Sequence, residues 1–486
     1  MKKAHAAGCA ALTLLLGVCG GCRVVGPNYT PVRVVTPPEW PSVEAAGGAG
    51  ARSAQAAALA EWWTTLGDPV LDGLVERAAG GNRDLRIALT RIRQSRAALG
   101  AAEKQRDPSL TGSATYRRSQ SGIPTPAERD PALFTSGSDF YDIGFDAAWE
   151  IDLFGKKHRS LEAAAAELEA SEEGYRSVLV SLVAETASHY VRLRTFQKQL
   201  DIVFRNLELQ ERVLAVLEEQ AAVGLISRLQ VEQSRYTIES TRSRIPGYRI
   251  GIEETMNGLA ILLGEMPGDL HGALSAPGPI PVPGIEIAVG VPADIVRRRP
   301  DIRNAERLLA AQTARIGVAT ADLYPSFTLS GFLGMTASST KAFFADDSPT
   351  VGIAPFISLP LFNRGKIRDQ IEIQSALQER ALIAYESVVL DAIREVRDAI
   401  IAYGEERKRY RILEKGAAEA GAALNIAEEQ FRSGLVNFIN VLDAQRALLT
   451  FEETQVGSRG AITQNLVRLY KSLGGGWDPD GRGLHP

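Results

Sequence analysis

From Lys157 to about Val223 the chain runs without a proline, and apolar residues recur there at helical spacing. As one helix, about 65 residues at about 1.5 Å each would extend about 100 Å. Helices of globular domains are far shorter, so the run suggests a coiled-coil-like rod. A break after Gly224 leads to a second helical run, interrupted at Pro246-Gly247. The pattern returns from Lys366 to about Ser433 and continues to Leu473.

That return is a tandem duplication. "GLISRLQVEQSR" begins at Gly224 and "GLVNFINVLDAQ" at Gly434, a shift of 210 that also carries Leu263-Gly264 onto Leu473-Gly474. Upstream, "RDLRIALTRIRQSRAALGAAEKQRDPSL" resembles "PDIRNAERLLAAQTARIGVATADLYPSF", with Asp84 matching Asp301 at a shift of 217. Each half reads as a helix, a β-rich stretch and very long helices. Asp68-Pro69 has the chemistry of an N-cap followed by a first helical residue. The expected division is a signal at 1–21, an N-terminal segment at 22–66 and a first repeat at 67–264. A Pro/Gly-rich connector at 265–291, a second repeat at 292–474 and a loose tail at 475–486 complete it.

All three cysteines, Cys9, Cys19 and Cys22, lie at the N-terminus, so no disulfide framework or thiolate metal site can exist beyond it. They sit in a secretory-signal layout: Lys2 and Lys3, the apolar "AALTLLLGV", then small residues. "VCGGC" resembles a bacterial lipobox with Cys22 lipidated, although Cys19 stands where that motif usually has leucine. A formal net charge of −4 offers no attraction for nucleic acid. After the signal no apolar run reaches the length of a transmembrane helix, so a membrane role needs the lipid, a β-barrel or both.

"YDIGFDAAWEIDLFG" supplies the barrel signal. Its odd positions Tyr141, Ile143, Phe145, Ala147, Trp149, Ile151 and Leu153 are apolar, while Asp142, Asp146, Glu150 and Asp152 alternate with them. A soluble strand is usually about 5–6 residues long, whereas a barrel strand is long, apolar towards lipid and polar towards a lumen. On that reading the four carboxylates form a lumen wall. "PSFTLSGFLGM", "TVGIAPFISLPLF" and "GSATYRRS" are the other candidate strands. Four strands cannot close a barrel, and open sheet edges are not tolerated in lipid, so several chains must share one.

"RRRPDIRNAERLLAAQTARIGVATADLYPSFTLSGFLG" resembles the signature of outer-membrane factors, the TolC-like efflux channels, and most closely their NodT/OprM-type lipoprotein branch. "GCRVVGPNYTP", "EWWTTLGDPVLDGLV", "WEIDLFGK" and "VLDAQRALL" are similar to stretches of that branch in the same order, from Cys22 to about Gly474. The resemblance implies an α+β, mostly α homotrimer in the outer membrane of a Gram-negative bacterium. Each chain would give four strands to a shared 12-stranded barrel, and its helices would form an α-barrel through the periplasm. It further implies a periplasmic adaptor, an inner-membrane transporter of RND or ABC type, and a passive exit duct for drugs or small molecules. No cofactor is expected beyond a covalent lipid on Cys22.

The resemblance also places "GLVNFINVLDAQRALL" at the periplasmic tip. Gly224, Leu225, Gly434 and Leu435 would face the adaptor. Asn437, Asn440 and Asp443 would face the pore, with Gln230 matching in the first half, while Leu435, Phe438, Ile439 and Leu442 would pack against neighbouring helices. The family often carries aspartates at two ring positions, and here the first is Asn440. Phe431 and Val436 stand where some members have polar residues that tie the closed gate.

Three other readings compete. A protein-secretion exporter shares every feature. A structural coiled-coil envelope lipoprotein leaves the two-faced strands unexplained. A secreted enzyme lacks a site, since no P-loop or nucleophile elbow is present and no two of the five histidines have metal-ligand spacing.

Overall fold

The computed structural model describes residues 24–32, 59–119, 138–282, 295–343 and 349–477. Cys22, the signal at 1–21 and part of the Pro/Gly-rich connector lie outside the described residues. In chain order the elements are α1 (Pro69–Gly81), α2 (Arg83–Lys104), β1 (Ser109–Ser119), β2 (Ser138–Ile151), α3 (Lys156–Ala222), α4 (Arg228–Arg242), α5 (Ile245–Leu263) and α6 (His271–Leu274). They continue with α7 (Ile295–Arg298), α8 (Pro300–Ala321), β3 (Ser326–Ala337), β4 (Pro349–Ser358), α9 (Arg364–Arg432) and α10 (Phe438–Ser472). The long proline-free runs are single helices of 67 and 69 residues. Asp68 caps α1, its carboxylate accepting from the Val70 and Leu71 N–H groups, with Pro69 as the first helical residue. The first helix of half one divides at Asn82, whose side chain caps α2 by accepting from Leu85 N–H at 3.0 Å.

The chain forms two compact units. The first gathers the strands, residues 24–32, and the helical segments within Ile92–Ala170 and Ala305–Tyr385. Its four strands form one antiparallel sheet in sequence order. Register then sorts the side chains onto two faces. Tyr141, Ile143, Phe145, Trp149 and Ile151 share one with Leu110, Leu329, Leu333, Val351, Ile353 and Ile357. Asp142, Asp146 and Glu150 share the other with Thr111, Ser113, Thr328, Ser330, Thr336 and Thr350. On this polar face the Phe332 ring lies across the paired Gly144 and Gly334, where a Cβ would meet it at 2.8 and 2.7 Å.

Asp152 corrects the alternation. β2 ends at Ile151, and the Asp152 carboxylate accepts from His158 N–H at 2.8 Å, in the first turn of α3. An N-terminal turn has N–H groups without helical partners, so a carboxylate just upstream caps the helix rather than lining a strand face. Leu359 and Leu361 likewise fall beyond β4, which stops at Ser358.

An N-terminal strap is fastened to this unit by buried Arg159. Its guanidinium donates to the Val25 and Gly26 carbonyls and to Asn28 Oδ1, and it pairs with Glu162 at 2.7 Å. Gly26 has φ +88° and rests on Gly317 so closely that any Cβ would overlap the Gly317 backbone.

The second unit covers the described residues within Ser171–Asn304, residues 386–477 and the helical part from 59 through Arg91. Its main core joins Trp62, Leu71, Leu74, Tyr190, Leu193, Leu259, Leu270, Ile400, Leu466 and Tyr470. The start of the tail, residues 475–477, is less loose than its composition suggests. Gly475 and Gly476 donate to the Tyr470 and Leu59 carbonyls, and buried Trp477 lies beneath the Arg176 and Arg303 guanidinium groups at 5.1 and 5.7 Å.

Candidate functional site: paired helical turns and the polar sheet face

The 210-residue repeat produces two near-identical turns. Gly224 and Gly434 have φ +77° and +72°, a left-handed conformation natural to glycine. At each, the glycine N–H returns to Ala221 or Phe431, and the next residue's N–H to Gln220 or Gln430. The carbonyls at the ends of α3 and α9 are thereby satisfied. Leu225 and Leu435 project from the two turns, each 75% exposed.

Beyond the turns the caps differ. Ser227 accepts from Leu229 N–H at 3.2 Å and caps α4. Asn437, its counterpart, is the N-cap residue of α10 but makes no side-chain cap bond. The polar stripe is therefore an N-cap residue followed by Asn440 and Asp443 on α10, all three exposed. Because the helix starts at Phe438, Leu435 lies in the turn and cannot share the helix's apolar face, and Ile439 is also exposed. The packed face is Phe438, Val441 and Leu442, which bury against Leu217 and Val231 of the first hairpin. Phe431 joins this core, its ring 5.2 Å from that of Phe438.

Asp443 is not an isolated charge. Its carboxylate is 3.6 Å from Arg446, the two side chains being 65% and 41% exposed. Arg446 also donates to Tyr236 Oη at 2.6 Å and Thr237 Oγ1 at 3.0 Å, and covers the Tyr236 ring at 5.2 Å. Arg446 and Tyr236 are themselves 210 residues apart, so the duplication alone could have flagged this pair. Gln230 is half-buried, and its side-chain oxygen is enclosed and without a partner among the described residues.

Further along the same helices, Glu453 binds Arg244 and accepts from Tyr248 Oη at 3.0 Å. Burial first, and then the Glu453 carboxylate, push the Tyr248 phenol up to about 12. Arg244 marks the break between α4 and α5 beside Pro246, whereas α10 passes the equivalent point unbroken.

On the polar sheet face Asp146 accepts from Ser113 at 2.9 Å and Asp142 from Thr336 at 3.2 Å. Glu150 lies 3.9 Å from Lys157, at the sheet end nearest α3. These are carboxylates bonded to hydroxyls and a cation across strands, an arrangement suited to a hydrated wall. Among the described residues no group of three His, Cys, Asp or Glu side chains could hold a metal ion. No described helix is long and apolar enough to cross a membrane.

The sequence profile described as outer membrane efflux protein matches residues 74–265 and 291–475. A solvent efflux pump outer membrane protein, SrpC of Pseudomonas putida, is 32% identical, covering 94% of this chain and 96% of its own. OprJ, an outer membrane protein of Pseudomonas aeruginosa, is 30% identical over 97% of this chain and 96% of its own. The solved outer-membrane channel OprN superposes with a TM-score of 0.84 at 34% identity, covering 94% of this chain and all of that one.

Proposed function

The chain belongs to the outer membrane efflux protein family and is an outer-membrane efflux channel of TolC-like fold, and from that premise we propose a passive duct assembled from three copies. The register of the sheet carries this reading. One face is apolar except for the paired Arg118 and Asp139 at one end of β1 and β2, the other carries the carboxylates and hydroxyls, and β1 and β4 are left as edges among the described residues. Lipid does not tolerate open edges, so β4 of one copy pairs with β1 of the next, and three copies supply twelve strands. The apolar face meets lipid; Asp142, Asp146 and Glu150 line the lumen.

The two turns dock a periplasmic adaptor through Gly224, Leu225, Gly434 and Leu435, whose matched exposure offers an adaptor two similar footholds. The inner-membrane transporter is of RND or ABC type, and the cargo is a small organic molecule, since relatives carry names such as solvent or toluene efflux pump protein. Asp443 and Asn440 ring the entrance, with Arg446 tempering the carboxylate charge. The duct performs no catalytic step and carries no cofactor besides a lipid on Cys22.

The purified protein should run as a heat-resistant trimer and conduct ions in planar bilayers. A monomer without conductance would sink the reading. Palmitate labelling of wild type against Cys22→Ser tests the anchor, and equal labelling would remove it.

A further inference from the structure

The two halves treat the start of their long helices differently. Both α3 and α9 begin directly after a strand and have no acidic residue in the first turn. α3 begins Lys156-Lys157-His158-Arg159, and α9 brings Arg364, Lys366 and Arg368 into its first five residues. Cations at a helix N-terminus oppose the helix dipole, so such a cluster needs a compensating partner.

In half one the partners are within the chain. Lys156 pairs with Asp322 at 2.6 Å, Lys157 donates to the Glu150 carbonyl at 3.0 Å, and Arg159 holds the strap. In half two Arg364, Lys366 and Arg368 are all exposed, and none has an ion-pair partner among the described residues. The segment before them is apolar and equally open. Phe362 is 98% exposed and Leu361 66%. It continues directly from β4, whose Val351, Ile353 and Ile357 stand on the sheet's apolar face.

We propose that Leu361–Arg368 is a lipid-headgroup contact site, in which Phe362 and Leu361 enter the periplasmic leaflet and Arg364, Lys366 and Arg368 bind anionic phospholipid headgroups. This rests on the outer-membrane placement of the sheet. An aromatic ring four residues beyond a lipid-facing strand, with unpaired cations from two residues further on, matches the order from hydrocarbon through interface to headgroup. Phosphate oxygens at the cations compensate the charge that the α9 dipole disfavours. The chemistry asks for a bilayer surface rather than a soluble anion, because Phe362 has no role in binding free phosphate.

The test uses the full-length trimer in mild detergent, with thermal dissociation of the trimer followed as lipid is added. Phosphatidylglycerol should raise the midpoint by several degrees more than phosphatidylcholine, and inorganic phosphate at matched charge should not reproduce the difference. Arg364→Gln/Lys366→Gln/Arg368→Gln should abolish the phosphatidylglycerol increment, and Phe362→Ser should weaken it for both lipids. Arg364→Lys/Arg368→Lys should retain it, since charge is what is required. Arg212→Gln/Arg394→Gln, removing surface cations elsewhere, should also retain it. Two results overturn the site: an undiminished increment in the triple variant, or a triple variant that dissociates earlier in every lipid with its increment intact. The second would assign these cations to the seam between copies. A wild type that forms no trimer at all would instead count against the duct itself.

Discussion

For the duct proposed above, Arg446 is where one substitution should read out opening and closing most directly. It joins α10 to α4 through two hydrogen bonds, at 2.6 and 3.0 Å, and a ring contact at 5.2 Å. Opening that parts α4 from α10 must break all three. Two charge-assisted bonds of about 1.5 kcal/mol each and an exposed cation–π contact of about 0.5 kcal/mol sum to about 3.5 kcal/mol. Arg446 is 41% exposed, so water competes for the guanidinium and about half survives, about 1.5–2 kcal/mol. At about 1.4 kcal/mol per decade, Arg446→Ala should raise the open-to-closed ratio about 10- to 30-fold. Single-channel recording in planar bilayers measures that ratio. Tyr236→Phe should give a smaller rise, and the double variant less than the product of the two, because they remove a shared contact. An open-to-closed ratio within twofold of wild type for Arg446→Ala would refute the argument.

Four further outcomes follow from this and other contacts. Asp443→Ala should lower cation selectivity, while Arg446→Ala, by removing the cation 3.6 Å from Asp443, should raise it; bilayer reversal potentials decide both. Phe438→Ala empties the centre of the core between the two hairpins and should cost about 3–5 kcal/mol, seen as lost hydrogen-exchange protection in both turns. Gly26→Ala adds a Cβ that overlaps Gly317 at a left-handed residue, so limited proteolysis should remove the N-terminal segment faster than in wild type. The Gly268 carbonyl and then Glu253, 2.7 Å away, hold the His271 imidazole above its usual value. A raised folded-state value means the stabilisation is full below the ordinary histidine range and is lost as pH rises through the folded value. Exchange around α6 should therefore speed up beyond its intrinsic pH dependence across that window, and His271→Gln should remove the excess.

Much of this architecture is written locally. The two-residue alternation of β2, the proline-free runs of α3 and α9, the Asp68-Pro69 start of α1 and the glycines at 224 and 434 each act through a few neighbouring residues. Periodicity and backbone freedom are properties of such short stretches, so the sequence by itself determined the element types, the duplication and the resemblance to a family of channels. It misread Asp152, because alternation carries no information about where a strand stops and a helix begins to draw on its carboxylates. It placed Leu435 on a packed helix face because it started α10 three residues early. It called residues 475–477 loose with the rest of the tail because nothing near Trp477 in the chain announces Arg176 and Arg303. Pairing across long stretches of chain was left to the tertiary structure: the β2–β3 register, the Arg446–Tyr236 contact, and the contrast between cations with partners on α3 and without them on α9. A charge has the same letter whether or not a partner meets it, and only the folded distances say which.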